Sequence, residues 1–121
     1  MRGRLYDLPS GYPALRVPDV DVFAVGTADP SMDASLQHEL NQGEARRPDG
    51  TIVYGELITF DDPEARLTAL DRLEGFDPRG PTLYRRVLVP AETSGGACVL
   101  AWAYVTHGSS GARLPGGRWP P

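Results

Sequence analysis

A carboxylate on the apolar side of a short helix is the first feature of this sequence that could do chemistry. Residues 63–74 read as a helix in which Leu67, Leu70 and Leu73 recur at helical spacing. On a 100° wheel with Leu67 at 0°, Leu70 falls at about 300° and Leu73 at about 240°, so the apolar face centres near 300°. Glu74 then falls at about 340°, between Leu67 and Leu70, and Asp71, at about 40°, marks the edge of that face. Two readings follow. Glu74 ends the helix and its flexible stem carries the head to water, or it lines an apolar cavity, where a carboxylate is suited to moving protons near neutral pH.

A second group lies at Tyr84, Arg85 and Arg86, which open a strand over residues 84–90. Alternation sets Tyr84, Arg86 and Leu88 on one face and Arg85, Val87 and Val89 on the other. Arg86 is either a surface cation or salt-bridge partner of a helix carboxylate, or a guanidinium held near a substrate carboxylate. In a further strand, residues 97–105, Trp102 and Tyr104 alternate with Ala101, Ala103 and Val105 and read as core and rim packing. Cys98 reads as a small strand hydrophobe. His107 follows that strand and His38 lies in a polar stretch, far apart and in no ligand-like spacing. A single cysteine excludes an internal disulfide and a cysteine-based zinc cluster. No serine–histidine–acid order, phosphate-binding glycine loop or metal motif is present, and Gly26-Thr27 is too short for a nucleotide fingerprint.

The elements that must hold these residues are legible in part. Asp62 caps the helix, Pro63 suits its first position, Glu64 favours the positive end of the dipole, and Gly75 supplies a left-handed stop. Residues 51–60 read as a strand, and Ser94-Gly95-Gly96 as the hairpin connection between the strands 84–90 and 97–105. Residues 2–8 read as a short first strand, closed by the turn chemistry of Pro9-Ser10-Gly11-Tyr12-Pro13. Between them, residues 16–50 are expected to form an irregular insertion, with a strand near 20–25 and a helical turn or two over 31–40. Asp29-Pro30 and Arg47-Pro48-Asp49-Gly50 break it. The tail from Gly108 reads as loop.

Composition bounds the rest. With 121 residues, 40% of them hydrophobic, the chain suits one domain with a single modest core. A net charge of −4 argues against a general nucleic-acid binder. No apolar run approaches membrane-spanning length, and no secretory leader is visible, so a cytoplasmic protein is expected. All 12 basic residues are arginine, which reflects coding bias rather than function. The 14 glycines and 12 prolines imply turns and loops rather than a helical bundle.

Gly3-Arg4-Leu5-Tyr6-Asp7, Gly11-Tyr12-Pro13-Ala14-Leu15, Val53-Tyr54-Gly55-Glu56-Leu57, Leu70-Asp71-Arg72-Leu73-Glu74-Gly75-Phe76, Tyr84-Arg85-Arg86-Val87 and Ala101-Trp102-Ala103-Tyr104-Val105 occur in this order. With them the chain resembles the gamma-glutamylcyclotransferase-like, or AIG2-like, family. Leu114-Pro115-Gly116-Gly117-Arg118-Trp119 is similar to the family's closing segment. The resemblance covers most of residues 3–15 and 51–119. It implies an α+β fold, a small mixed β-barrel with one main packed helix and a cavity at one end. Active members cyclise a gamma-glutamyl group: the α-amine attacks the γ-carbonyl, releasing an amine or peptide and leaving 5-oxoproline, with no metal or cofactor. The proton shuttle of the Leu-Asp-x-x-Glu-Gly segment maps onto Glu74, the residue that the wheel also selects. Tyr84, Arg86 and Tyr12 are the expected substrate-binding residues. The expected partner is a small gamma-glutamyl substrate, with no nucleic acid and no membrane.

One departure matters. Members of the family begin with a strand ending in Tyr-Gly-Ser/Thr-Leu, whose loop amides grip the glutamyl end of the substrate, and this sequence starts after that point. A misplaced start, a natural short form, and displacement of the strand to Val22-Phe23-Ala24-Val25-Gly26-Thr27-Ala28 are the three readings. Two functions stay open: a gamma-glutamyl cyclotransferase, or a non-catalytic member that binds a small molecule or a partner. A missing first strand would leave an exposed sheet edge, able to pair with a second copy.

Overall fold

A computed structural model describes residues 1–7, 13–43, 52–80, 82, 84–106 and 111–119. Among these residues six strands and two α-helices follow in the order β1 (Arg4–Asp7), β2 (Pro13–Arg16), β3 (Ala24–Val25), α1 (Pro30–Leu40), α2 (Pro63–Glu74), β4 (Tyr84–Glu92), β5 (Cys98–Thr106) and β6 (Ala112–Arg113), with a short 3-10 turn at Asp19–Asp21 before β3.

The longest elements are β4 and β5, nine residues each, paired antiparallel from Tyr84↔Thr106 to Glu92↔Cys98. Their β-branched and aromatic content suits a pleated, half-buried surface. The turn closes where expected: Thr93 N–H donates to Ala97 O, and Gly96 adopts φ 86°, a conformation that favours glycine. β3 adds to the other edge of β4 through Ala24↔Leu88 and Val25↔Val87, giving the order β3-β4-β5. A second sheet, β2-β1-β6, is also antiparallel.

One face of the β4–β5 hairpin carries Val87, Val89, Ala103 and Val105, all buried, with Met1, Leu15, Val17 and Val22 packed on them. The opposite face carries Arg86, Leu88, Trp102 and Tyr104, because register pairs Arg86 with Tyr104 and Leu88 with Trp102. The two helices cover this second face: α1 packs on α2 and reaches β5.

α2 starts on Asp62, whose carboxylate accepts from Ala65 N–H, with Pro63 at the first position. It stops at Gly75 in the left-handed conformation, φ 69°. Gly75 N–H donates to Arg72 O and Phe76 N–H to Asp71 O, a Schellman closure that turns the chain inward and buries Phe76.

Three expectations need correction. The strands form two three-stranded sheets and, among the described residues, no closed barrel. The described residues hold two α-helices where one main packed helix was expected: α1 runs three turns, capped by the Asp29 carboxylate on Met32 N–H with Pro30 at its first position, where a turn or two was expected inside an irregular stretch. Residues 53–60 belong to no strand and, among the described residues, form no ladder; Ile52 makes an isolated bridge to Arg2, with Val53 N–H on Met1 O and Tyr54 N–H on Gly117 O. Among the described residues no second strand pairs with that stretch, and Tyr54, Leu57 and Ile58 stay exposed. Tyr12, His107 and the Arg47–Gly50 breaker lie outside the described residues. No described helix is long and apolar enough to cross a membrane.

Candidate active site

Arg86 is the centre of the helix-covered face, with 0% of its surface exposed. Strand β4 delivers it there because it alternates with Val87 and Arg85, which face the other way. Its Nε donates to Asp71 Oδ1 at 2.7 Å and its Nη2 to Asp71 Oδ2 at 3.1 Å, a two-toothed grip on α2. The same Nη2 donates to Asp33 Oδ2 of α1 at 2.9 Å and to Thr27 O at 3.3 Å. The guanidinium carbon lies 4.7 Å from the Trp102 ring centre and 5.6 Å from that of Phe76, so aromatic faces complete its surroundings. Gly26 closes the remaining side: a Cβ there would stand 2.8 Å from Arg86 Cζ, closer than any side chain tolerates. Nη1 is buried and has no hydrogen-bond partner among the described residues.

The carboxylates are bound in turn. Thr27 donates to Asp33 twice, N–H to Oδ2 and Oγ1–H to Oδ1, both at 2.8 Å. Tyr104 OH donates to Asp71 Oδ1 at 2.5 Å. Burial alone would lower the Arg86 pKa, but the hydrogen bonds and charges of Asp71 and Asp33 outweigh it and hold the guanidinium charged. Burial first, then the bond to Asp71 and that residue's charge, raise the Tyr104 pKa far above its ordinary value; Glu74 adds to the rise and Arg86 opposes it. Tyr104 is therefore a fixed donor. One guanidinium facing two carboxylates leaves the cluster net negative.

Glu74 occupies the last turn of α2, three residues after Asp71, half-buried and near enough to act electrostatically on Tyr104. Among the described residues it has no hydrogen bond or ion pair. Leu67 is buried and Leu70 half-buried, but Leu73 is 78% exposed. The inward face of α2 thus comprises Leu67, Leu70, Asp71 and Glu74, turned from the leucine-centred direction because the ion pair between Asp71 and Arg86 orients the helix. Tyr84 is half-buried at the start of β4, on the Arg86 face, opposite Thr106.

Of the residues singled out in the sequence, Glu74 and Arg86 come together around Asp71. Arg86 takes up the salt-bridge alternative, with a helix carboxylate on each side. Asp33 went unnoticed, Thr27 was weighed only within Gly26-Thr27 and the displaced strand over residues 22–28, and Tyr104 was read only as packing. Asp33 sits in the first turn of α1, where an acid is ordinary, and nothing local to it points to an arginine 53 residues away. No group of three or more histidine, cysteine, aspartate or glutamate side chains among the described residues is disposed to hold a metal ion.

The family model described as gamma-glutamyl cyclotransferase, AIG2-like, matches residues 40–121, which span α2, the β4–β5 hairpin and β6. The chain belongs to this family. Comparison with curated proteins and with solved structures gives no match.

Proposed function

We propose that this protein cyclises a gamma-glutamyl group to 5-oxoproline, releasing an amine or peptide, with Glu74 as the proton shuttle. The observation that carries the reading is the coincidence of two facts. The family match includes the segment from Leu70 to Phe76, and Glu74 in that segment lies on the inward side of α2 with no protein partner among the described residues. Its oxygens are therefore open to a substrate.

The chemistry balances through such a group. The α-nitrogen begins as an ammonium; its first proton passes to the Glu74 carboxylate, and the freed amine attacks the γ-carbonyl carbon. The new C–N bond forms as the carbonyl electrons move onto oxygen. When the carbonyl re-forms, the bond to the leaving nitrogen breaks and Glu74 returns a proton to it. The ring nitrogen ends with a single hydrogen, and the two it has lost match the two gained by a leaving amine that departs as an ammonium. Tyr84 and Tyr12 are proposed to contact the substrate, and Arg86 to act from beneath the site.

β3 pairs with β4 beside the cluster, which supports reading residues 22–28 as the displaced first strand of the family. Gly26 N–H donates to Arg86 O, Thr27 N–H to Asp33 and Asp29 N–H to Thr27 Oγ1, so any backbone grip on the glutamyl end from residues 26–30 falls to Ala28. A second reading, binding without cyclisation, rests on the exposed apolar side chains Tyr54, Leu57 and Ile58 in a segment that forms no ladder among the described residues, able to receive a partner or a second copy.

The test is 5-oxoproline release from gamma-glutamyl amines and dipeptides. Glu74→Gln keeps size and removes the shuttle, and is expected to cut the rate by about 10²-fold or more with the fold intact by circular dichroism. A full rate in that variant overturns the assignment of Glu74. A folded wild-type chain inert on every gamma-glutamyl compound transfers the case to the binding reading.

A further inference from the structure

The contacts of Arg86 divide between the segment that the family model matches and the β3–α1 region before it, where Gly26 also lies against the guanidinium. Asp71, Phe76 and Trp102 lie within residues 40–121; Thr27 and Asp33 do not. Asp33 is also the less expected partner. Asp71 alone would neutralise the guanidinium, and a second buried carboxylate adds a charge that must be stripped of water. The protein nevertheless surrounds Asp33 with three donors, Thr27 N–H, Thr27 Oγ1–H and Arg86 Nη2. A charge held at such cost, on a helix that lies against α2, is placed to fix geometry rather than to add stability.

We propose that Asp33 is a positioning residue: by holding Arg86 Nη2 it sets the plane of the guanidinium, which fixes Asp71 and with it the last turn of α2 that carries Glu74. The chain of contact is continuous. Asp33 and Asp71 share Nη2, Asp71 also takes Nε, and Asp71 O accepts the Phe76 N–H that closes the helix one residue beyond Gly75. With Asp33 neutral, Nη2 has one charged partner in place of two, and the guanidinium is free to turn about its bond to Asp71. The β3–α1 unit is in this view a working part of the site. The inference rests on the cyclotransferase reading only in its link to catalysis; the mechanical part stands without it.

The experiment uses Asp33→Asn, Thr27→Val and, as a control, Asn41→Ala. Asn41 anchors the far end of α1 through its side chain, with Leu100 N–H on Oδ1 at 2.8 Å and Nδ2 on Leu100 O at 3.2 Å, and touches nothing in the cluster. The readouts are amide exchange at Phe76 and the separate values of kcat and KM for 5-oxoproline release. Asp33→Asn is expected to speed exchange at Phe76 by about tenfold and to lower kcat by a similar factor with KM unchanged. Thr27→Val, which keeps the charge but removes one of its donors, moves both in the same direction by less, and serves if Asp33→Asn does not fold. Asn41→Ala lowers Tm but leaves Phe76 exchange and kcat unchanged. If Asp33→Asn leaves Phe76 exchange at the wild-type rate, or if Asn41→Ala changes it equally, Asp33 merely anchors α1 and the proposal is overturned. If exchange responds as expected in a chain that releases no 5-oxoproline from any substrate, the positioning role stands and the cyclotransferase reading falls.

Discussion

The two faces of the β4–β5 hairpin are made by the same nine-residue strands and are built on opposite principles. One is dry and generic: Val87, Val89, Ala103 and Val105 meet Met1, Leu15, Val17 and Val22. Any side chains of the right volume would serve there. The other presents a fully buried guanidinium to two helices, and its stability depends on each donor finding a specific acceptor. The apolar face holds the hairpin to the rest of the chain. The polar face fixes the directions of α1 and α2, and it is the face on which Glu74 sits.

This contrast breaks most sharply at Arg86. Arg86→Met fills a similar volume but leaves Asp33 and Asp71 buried without their cation. A loss of about 3–5 kcal/mol is expected, measured by urea unfolding, because truncating one member of a buried ion pair strands the other. On the dry face, Val89→Ala removes two methyl groups from a buried site and is expected to cost only about 2 kcal/mol. If the two losses are equal, the polar face is no more specific than the apolar one.

Gly26→Ala sharpens the same point by adding an atom instead of removing one. The new methyl would meet Arg86 Cζ at 2.8 Å, and the guanidinium is held by two carboxylates and cannot withdraw freely. A destabilisation of about 1–3 kcal/mol is expected, the range for an overpacked core. The chemical shift of the Trp102 indole N–H, whose ring lies under the guanidinium, should move with it. A variant with wild-type stability and an unmoved Trp102 signal would show that β3 yields easily and does not confine Arg86.

What the sequence disclosed, and what it hid, follows the same division. α2 was legible because its signals are local: Asp62 and Pro63 at the start, Gly75 at the end. The alternation that puts Arg86 opposite Val87 is likewise a property of one strand, and it gave the correct faces of β4. The leucine wheel erred at Leu73, since it weighed apolar residues alone while an ion pair at Asp71 sets the helix's rotation. Residues 53–60 have a strand's pattern, but a ladder needs a partner, and pairing is not written in the strand itself. Asp33 was invisible for a similar reason: its partner, Arg86, arrives from β4, and only the packing of α1 on the polar face of the hairpin brings the two together.

The smallest effect is expected at Tyr104, and it carries a pH signature. Tyr104→Phe deletes the hydroxyl that donates to Asp71 Oδ1, while Arg86 Nε still serves that oxygen, so about 1 kcal/mol should be lost at pH 7. The folded protein holds this phenol protonated well above the pH at which the unfolded chain releases it, near 10. Above that pH the unfolded state binds fewer protons than the folded one at this site, so stability falls as pH rises; below it the contribution is complete. The wild-type chain should therefore lose stability between about pH 9.5 and 11 more steeply than Tyr104→Phe, and the two curves should converge as pH rises. Spectrophotometric titration at the phenolate band checks the cause directly: the tyrosine missing from the variant should be one that does not ionise in the folded wild type before it unfolds. If Tyr104 titrates with the exposed tyrosines, its hydrogen bond to Asp71 is not maintained in solution. The polar face would then be held by Arg86 alone.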